Sequence, residues 1–181
     1  MAPSVVRVFF DTTVLCSAIL SPGGLCMRLL ALAQAGILQA VITQEVVAEF
    51  DRNCRLGFGD IVFDDDDIGG FCALLSPVLD LAMIRAVAVG RAMAPVFPIL
   101  SVGAVRIVQV PAGMPEVVSQ MLDEGTLALK DPFDLHVVAA ALANGCGYLC
   151  TSNGRDLPDG LRVGGLEVIR PERLHRLVRD Q

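Results

Sequence analysis

Histidine is scarce in this chain, and cysteine never occurs in the CxxC spacing of metal and redox motifs. Only two His occur among 181 residues, and the six cysteines, at 16, 26, 54, 72, 146 and 150, form no CxxC pair. That supply argues against a zinc site and leaves buried, reduced thiols as the expected state. Positive charge is also in short supply: 14 Lys and Arg stand against 20 Asp and Glu, for a net charge of -6. Such a balance argues against a protein whose whole surface binds nucleic acid. It does not exclude an enzyme that grips RNA through a cation held by acids.

A clean membrane-spanning run is missing as well. The hydrophobic fraction is 54% and the mean hydropathy +0.61, so the stretch IRAVAVGRAMAPVFPILSVGAVRIVQV needs weighing. Arg85, Arg91 and Arg106 interrupt it and Pro95 and Pro98 break it, so no apolar run of about 20 residues remains. Its 82–103 portion is read as buried elements or a subunit contact. MAPSVVRVFFDTT has no basic region followed by a long apolar stretch and a small-residue cleavage site, so no signal peptide and a cytoplasmic location are expected. No internal repeat, low-complexity tract or long linker is visible, and the length suits a single domain over residues 1–181.

What is present is an alternation of strand-like and helix-like segments. SVVRVFF is a β-branched and aromatic run that stops at Asp11, the mark of a central strand. After the turn SPGG, LCMRLLALAQAG has helical spacing and ends at Gly36. ILQAVIT reads as a second strand, with Thr43 placed to cap the helix QEVVAEFDRN. Residues 64–81 read as another helix, with Asp64 to Asp67 as its solvated entry. GAVRIVQVP then reads as a strand, MPEVVSQMLDEG as a helix and DPFDLHVVAAALANG as a further helix. CGYLCTSN is a buried strand running into polar residues, and LEVIRPERLHRLVRD supplies a last strand and helix. This order predicts an α/β fold, a three-layer α/β/α sandwich with a mainly parallel central sheet. Ligands in such sheets gather beyond the carboxyl ends of the strands.

Two acids at the mouth of the apolar helix DPFDLHVVAAAL pose a choice. Asp131 before Pro132 fits an N-cap with proline at the first helical position, and Asp134 falls at the third. Alternatively, Asp134 is held rigidly at the rim where Asp11 and the strand GYLC end, facing a ligand. Glu45 and Glu49 lie four apart on one helix face and repel each other mildly unless something positive lies nearby; Glu45 suits a favourable first-turn contact with the helix dipole. Carboxylates converging in one partly buried place raise one another's pKa, a conflict that a divalent cation removes. All-oxygen donors favour Mg²⁺ or Mn²⁺, and such a metal can orient a phosphodiester and activate water. Thr151 and Ser152 offer hydroxyls to water or phosphate. His136, two residues past Asp134, falls on another face and suits packing or the surface. Arg170, Arg173, Arg176 and Arg179 either touch phosphates or line a solvated closing helix.

VFFDTTVLCSAILSPGG, ITQEVVAEFDRN and KDPFDLHVVAAALANGCGYLCTSNGRDLP, in that order, resemble the successive motifs of PIN domains, the nuclease fold of many bacterial and archaeal toxin ribonucleases. They cover about a third of the chain. The resemblance implies a metal-dependent ribonuclease with Asp11 and Asp134 as metal ligands and Glu49 completing the acidic pocket or positioning water. Many relatives carry a fourth acid after the late strand; this chain has Asn153 there, a neutral oxygen ligand, with Asp156 three residues on. Asn153 and Asp156 join the candidate set, against a reading in which they only cap a turn. The resemblance further implies an RNA substrate, an antitoxin peptide in an apolar groove near the acids, and a homodimer, with 82–103 as the candidate contact.

Three rivals are weighed. FFDTTV also resembles the nucleophile strand of haloacid-dehalogenase-like phosphatases, but the second Asp they need is Thr13 here. A receiver domain wants a lysine near a late strand end, and Lys130 precedes a helix. A PIN-like scaffold without catalysis is the stronger rival: Asn153 and the acidic surface favour it, while Asp11, Glu49 and Asp134 oppose it.

Overall fold

The computed structural model describes residues 5–75, 105–108, 113, 116–118, 120 and 132–180. Asp131, Lys130 and the whole 82–103 segment lie outside the described residues, so the capping reading of Asp131 and the contact reading of that segment do too. Six strands form one sheet: β1 (Val6–Phe10), β2 (Leu38–Thr43), β3 (Val105–Val108), β4 (Tyr148–Cys150), β5 (Arg162–Val163) and β6 (Leu166–Ile169). Their order across the sheet is β3-β2-β1-β4-β6-β5. All neighbours are parallel except β5 with β6. With helices covering it, the sheet is the middle layer of the three-layer α/β/α sandwich expected from the alternating pattern.

The helices whose bounds fall among the described residues are α1 (Thr12–Leu20), α2 (Leu25–Gln34), α3 (Gln44–Leu56), α4 (Asp65–Leu75), α5 (Pro132–Ala143) and α6 (Pro171–Arg179). β1 ends against Asp11 as its apolar run predicts, whereas the pattern predicts no helix before the SPGG turn, where α1 lies. TTVLCSAIL is apolar over most of its surface, with only Thr12, Thr13 and Ser17 polar, so it lacks the strong one-sided periodicity that marks a surface helix. α1 is buried at Val14, Leu15 and Ala18, which explains that composition. β5 was likewise missed, since two residues give no alternation to read. Of MPEVVSQMLDEG only 116–118 and 120 are described, and these are helical.

The core is built on β1 and β2. Phe9, Phe10, Val41 and Ile42 are fully buried, as are Val137 to Ala141 of α5 and Phe50 of α3; each large side chain contributes roughly 1.5–3 kcal/mol. α5 packs over β1, β2 and β4, so its apolar run is core by construction. Thr43 ends β2 and caps α3, its hydroxyl accepting the Val46 N–H at 3.4 Å. Asp64 Oδ1 accepts the N–H groups of Asp66 and Asp67 at 2.9 Å, so the acidic run is indeed a helix entry. All six cysteines are free and buried, as expected. Among the described residues no single helix is long and apolar enough to cross a membrane.

Candidate functional site

β1 and β4 run parallel with Phe10 beside Cys150, so their carboxyl ends meet at one rim. The Asp11 N–H donates to Cys150 O at 3.1 Å, extending the pairing to the residue that carries the acid. Asp11 is also the N-cap of α1, its Oδ1 accepting the Thr12 N–H at 2.8 Å. The carboxylate is therefore set by a strand and a helix at once, and it is 6% exposed.

Hydroxyls fill the other side of Asp11. Its Oδ2 accepts from Thr13 at 2.8 Å and from Thr151 at 2.6 Å. Since each hydroxyl has one proton, the 3.2 Å separation of those two oxygens is a contact produced by their common acceptor. Thr151 is fully buried and accepts the Asn153 N–H at 2.9 Å, while Thr13 accepts the Ser152 N–H at 2.9 Å. The sequence reading had Thr151 and Ser152 offering hydroxyls to water or phosphate. Thr151 instead aims its hydroxyl at Asp11.

Glu49 reaches the same place from α3, accepting the Thr12 hydroxyl at 2.5 Å. Asp134, on the first turn of α5 and 6% exposed, arrives from the remaining direction. Asp11, Glu49, Asp134 and Asn153 all line one cleft of about 380 Å³. Asp156 is not in that lining; it braces Asn153, accepting from its amide at 3.2 Å while its own N–H donates to Asn153 Oδ1 at 3.4 Å. Glu45 lies outside the lining too. It pairs with His136 at 3.3 Å, and the hydrogen bond from His136 holds its carboxyl below the usual range.

Sequence reasoning did not find Thr12, Cys16, Ser17, Leu20, Asn53 or Phe58, which complete most of the lining. One signal was available: Asn53 stands four residues after Glu49, on the same helix face. The thiol of Cys16 is pushed up to about 12, first by burial and further by Glu49 and Asp11, against the hydrogen bond from Asn53. It is a neutral wall of the cleft, not a nucleophile.

The C-terminal arginines are largely engaged within the chain. Arg170 donates to the carbonyls of Thr151 (2.6 Å), Asn153 (3.3 Å) and Leu157. Arg173 pairs with Glu167 and with Asp159 at 3.3 Å, and Arg179 with Asp180 at 3.1 Å.

The donor set suits a hard divalent cation in kind: carboxylates, hydroxyls and an amide oxygen, with no cationic side chain among the described lining residues. In placement, however, no three His, Cys, Asp or Glu among the described residues stand close enough together to hold a metal ion by themselves. A cation there would keep several waters and use one or two carboxylates directly, a coordination that Mg²⁺ commonly accepts.

Residues 7–155 match the family profile described as PIN domain. No curated protein matches the chain in sequence. Among solved structures, VapBC2 from Rickettsia felis, bound to a DNA fragment from their promoter, resembles it with a TM-score of 0.53 at 13% identity. The likeness covers 91% of this chain and 98% of that one, and at that identity it is a likeness of fold.

Proposed function

The chain belongs to the PIN domain family, and from that premise we propose that it is a nuclease hydrolysing RNA phosphodiester bonds with Mg²⁺ or Mn²⁺. The observation that carries the reading is the convergence of Asp11, Glu49 and Asp134, from three distant segments, on one cleft. Asp11 and Asp134 would hold the cation, with Glu49 and Asn153 reaching it directly or through water. Bound there, the cation would supply a Lewis acid for the phosphodiester and a more acidic water.

The chain's own residues do the positioning. Thr13 and Thr151 fix the Asp11 carboxylate by donating to Oδ2, and the Thr12 N–H takes one lone pair of Oδ1, so the second lone pair of Oδ1 is the one left for a cation. Thr12 holds Glu49 in the same way. Asp156 keeps the Asn153 amide turned. Preset donors of this kind remove reorganisation from the reaction itself.

One solved relative in fold is a VapBC2 assembly, which supports the further proposal that this chain is the toxin of a toxin-antitoxin pair, held by an antitoxin protein; that it acts as a homodimer is proposed from the motif resemblance alone. A second reading, a PIN-like binding module without catalysis, is favoured by the lack of a ready-made metal-holding trio among the described residues.

The deciding experiment is cleavage of a mixed RNA pool by purified protein with Mn²⁺, beside an EDTA control and Asp134→Asn, with Mn²⁺ binding measured by calorimetry. Metal-dependent cutting that disappears in the variant is the expected result. Silence in wild type together with no Mn²⁺ binding would leave only the binding module.

A further inference from the structure

α1 and α3 run alongside each other away from the acids. Thr12 meets Glu49, and one helical turn further on Cys16 meets Asn53 through the Asn53 side chain. The same step of four residues carries α1 to Leu20 and α3 to Gly57, the residue that caps its end. From Thr13 to Leu20 this is roughly 10 Å of helix at 1.5 Å per residue, enough for one nucleotide beyond the acids.

Phe58 closes that far end. It is held there by its backbone: its N–H donates to Ile61 O at 2.8 Å, and the Ile61 N–H returns to Phe58 O at 3.3 Å. Gly57 permits the turn with φ 83°, and a Cβ on it would stand 2.9 Å from Ile61 O. Phe63 packs edge-on against the Phe58 ring, centroids 6.3 Å apart at 68°. The ring is thus braced by Phe63, and Leu20, 37% exposed, lines the same cleft.

The chemistry of the two ends differs. The acid end suits a cation and a phosphate. The far end offers an aromatic ring, a leucine and a carboxamide, with no cationic side chain among the described lining residues to take a phosphate. A base face stacks on an aromatic ring, and a carboxamide can both donate to and accept from a base edge.

We propose that Phe58, Leu20 and Asn53 form a nucleobase subsite, taking the base next to the scissile phosphate, with Phe58 stacking and Asn53 reading the edge. The proposal rests on the nuclease reading for its place in a reaction, and its test includes a measurement independent of cleavage. Binding of 5′-fluorescein-labelled RNA tetranucleotides is followed by anisotropy in Ca²⁺, for wild type, Phe58→Leu and Asn53→Ala. Thermal melting establishes that each variant is folded. Loss of stacking should weaken binding about fivefold or more in Phe58→Leu, and Asn53→Ala should flatten the preference among the four bases. Where wild type cleaves, sequencing of the cut ends should show the same flattening at one flanking position, with KM rising more than kcat falls.

Weakened binding in the variants of a protein that cuts nothing would keep the subsite and remove the nuclease reading. Cutting with unchanged base preference and unchanged affinity in both variants would remove the subsite and keep the nuclease. Tetranucleotides that fail to bind wild type would overturn the subsite and assign the Phe58 end to an apolar side chain of a protein partner.

Discussion

Thr12 donates its hydroxyl to Glu49 across 2.5 Å, joining the first turn of α1 to the middle of α3 at the edge of the cleft. Thr12 is 3% exposed, so Thr12→Val keeps the shape and removes a nearly buried donor. A loss of about 1 kcal/mol is expected, or about 2–4 °C in Tm for a chain of this size. If the proposed cation reaches Glu49, saturating Mn²⁺ should shrink the deficit, because the metal then holds the carboxylate. A Tm deficit that ignores Mn²⁺ would take Glu49 out of the ligand set.

Thr151 has a double role, donating to Asp11 and accepting from the Asn153 N–H. Thr151→Val should therefore cost about 1–3 kcal/mol, since it removes the acceptor of the Asn153 N–H as well as a donor to Asp11. Thr151→Ser keeps both hydrogen bonds and should cost less. Urea unfolding of the pair tests this; equal midpoints would show that the hydroxyl is not what holds the loop.

Much of this arrangement was legible because buried parallel strands read as unbroken apolar runs. Val6–Phe10 ends at Asp11 for that reason, and the alternation of elements gave the sandwich. Asp11, Glu49 and Asp134 were reachable through the motif resemblance and share the cleft. α1 was not legible, since a helix buried on most sides has too narrow a polar face, here Thr13 and Ser17, to set its period. Phe58 and Leu20 were not legible either. They come together only because α1 and α3 pack with a particular register, which no local pattern encodes. Asp156 entered the candidate set through the motif resemblance, as the acid three residues past Asn153, whereas in the fold it contacts Asn153 and stays out of the cleft lining.

Buried thiols make stability depend on alkali. Burial pushes Cys16, Cys54 and Cys72 up from 9.0 to about 12 and Cys146 to about 11. A folded pKa above the unfolded one means this contribution is fully present below about pH 9. It is lost as pH rises through the range up to the folded values, because only the unfolded chain releases these protons easily. The urea midpoint should fall steadily from pH 9 to 11, and native protein at pH 8 should resist thiol labelling that reaches all six cysteines in denaturant. Rapid native labelling would show that the thiols are not buried.

Arg170 gathers the carbonyls of Thr151, Asn153 and Leu157 around one guanidinium, and a Cβ on Gly154 would stand 3.2 Å from its Nη2. The loop carrying Asn153 is therefore folded around a fixed cation. Arg170→Met should cost about 2–4 kcal/mol, as hydrogen bonds from a charged donor are the stronger kind and partly buried carbonyls lose their partner. Because the acceptors are carbonyls rather than carboxylates, this loss should persist at 1 M salt, where exposed ion pairs such as Arg179 with Asp180 are screened. Arg170→Lys keeps the charge but not the fork that serves separate carbonyls, so it should recover only part of the stability. Urea unfolding at 0.1 and 1 M NaCl separates the cases: a deficit that vanishes in high salt would mean that Arg170 acts through its charge on the neighbouring acids. A deficit that persists with partial rescue by lysine would mean that it acts as the geometric clamp of the Asn153 loop.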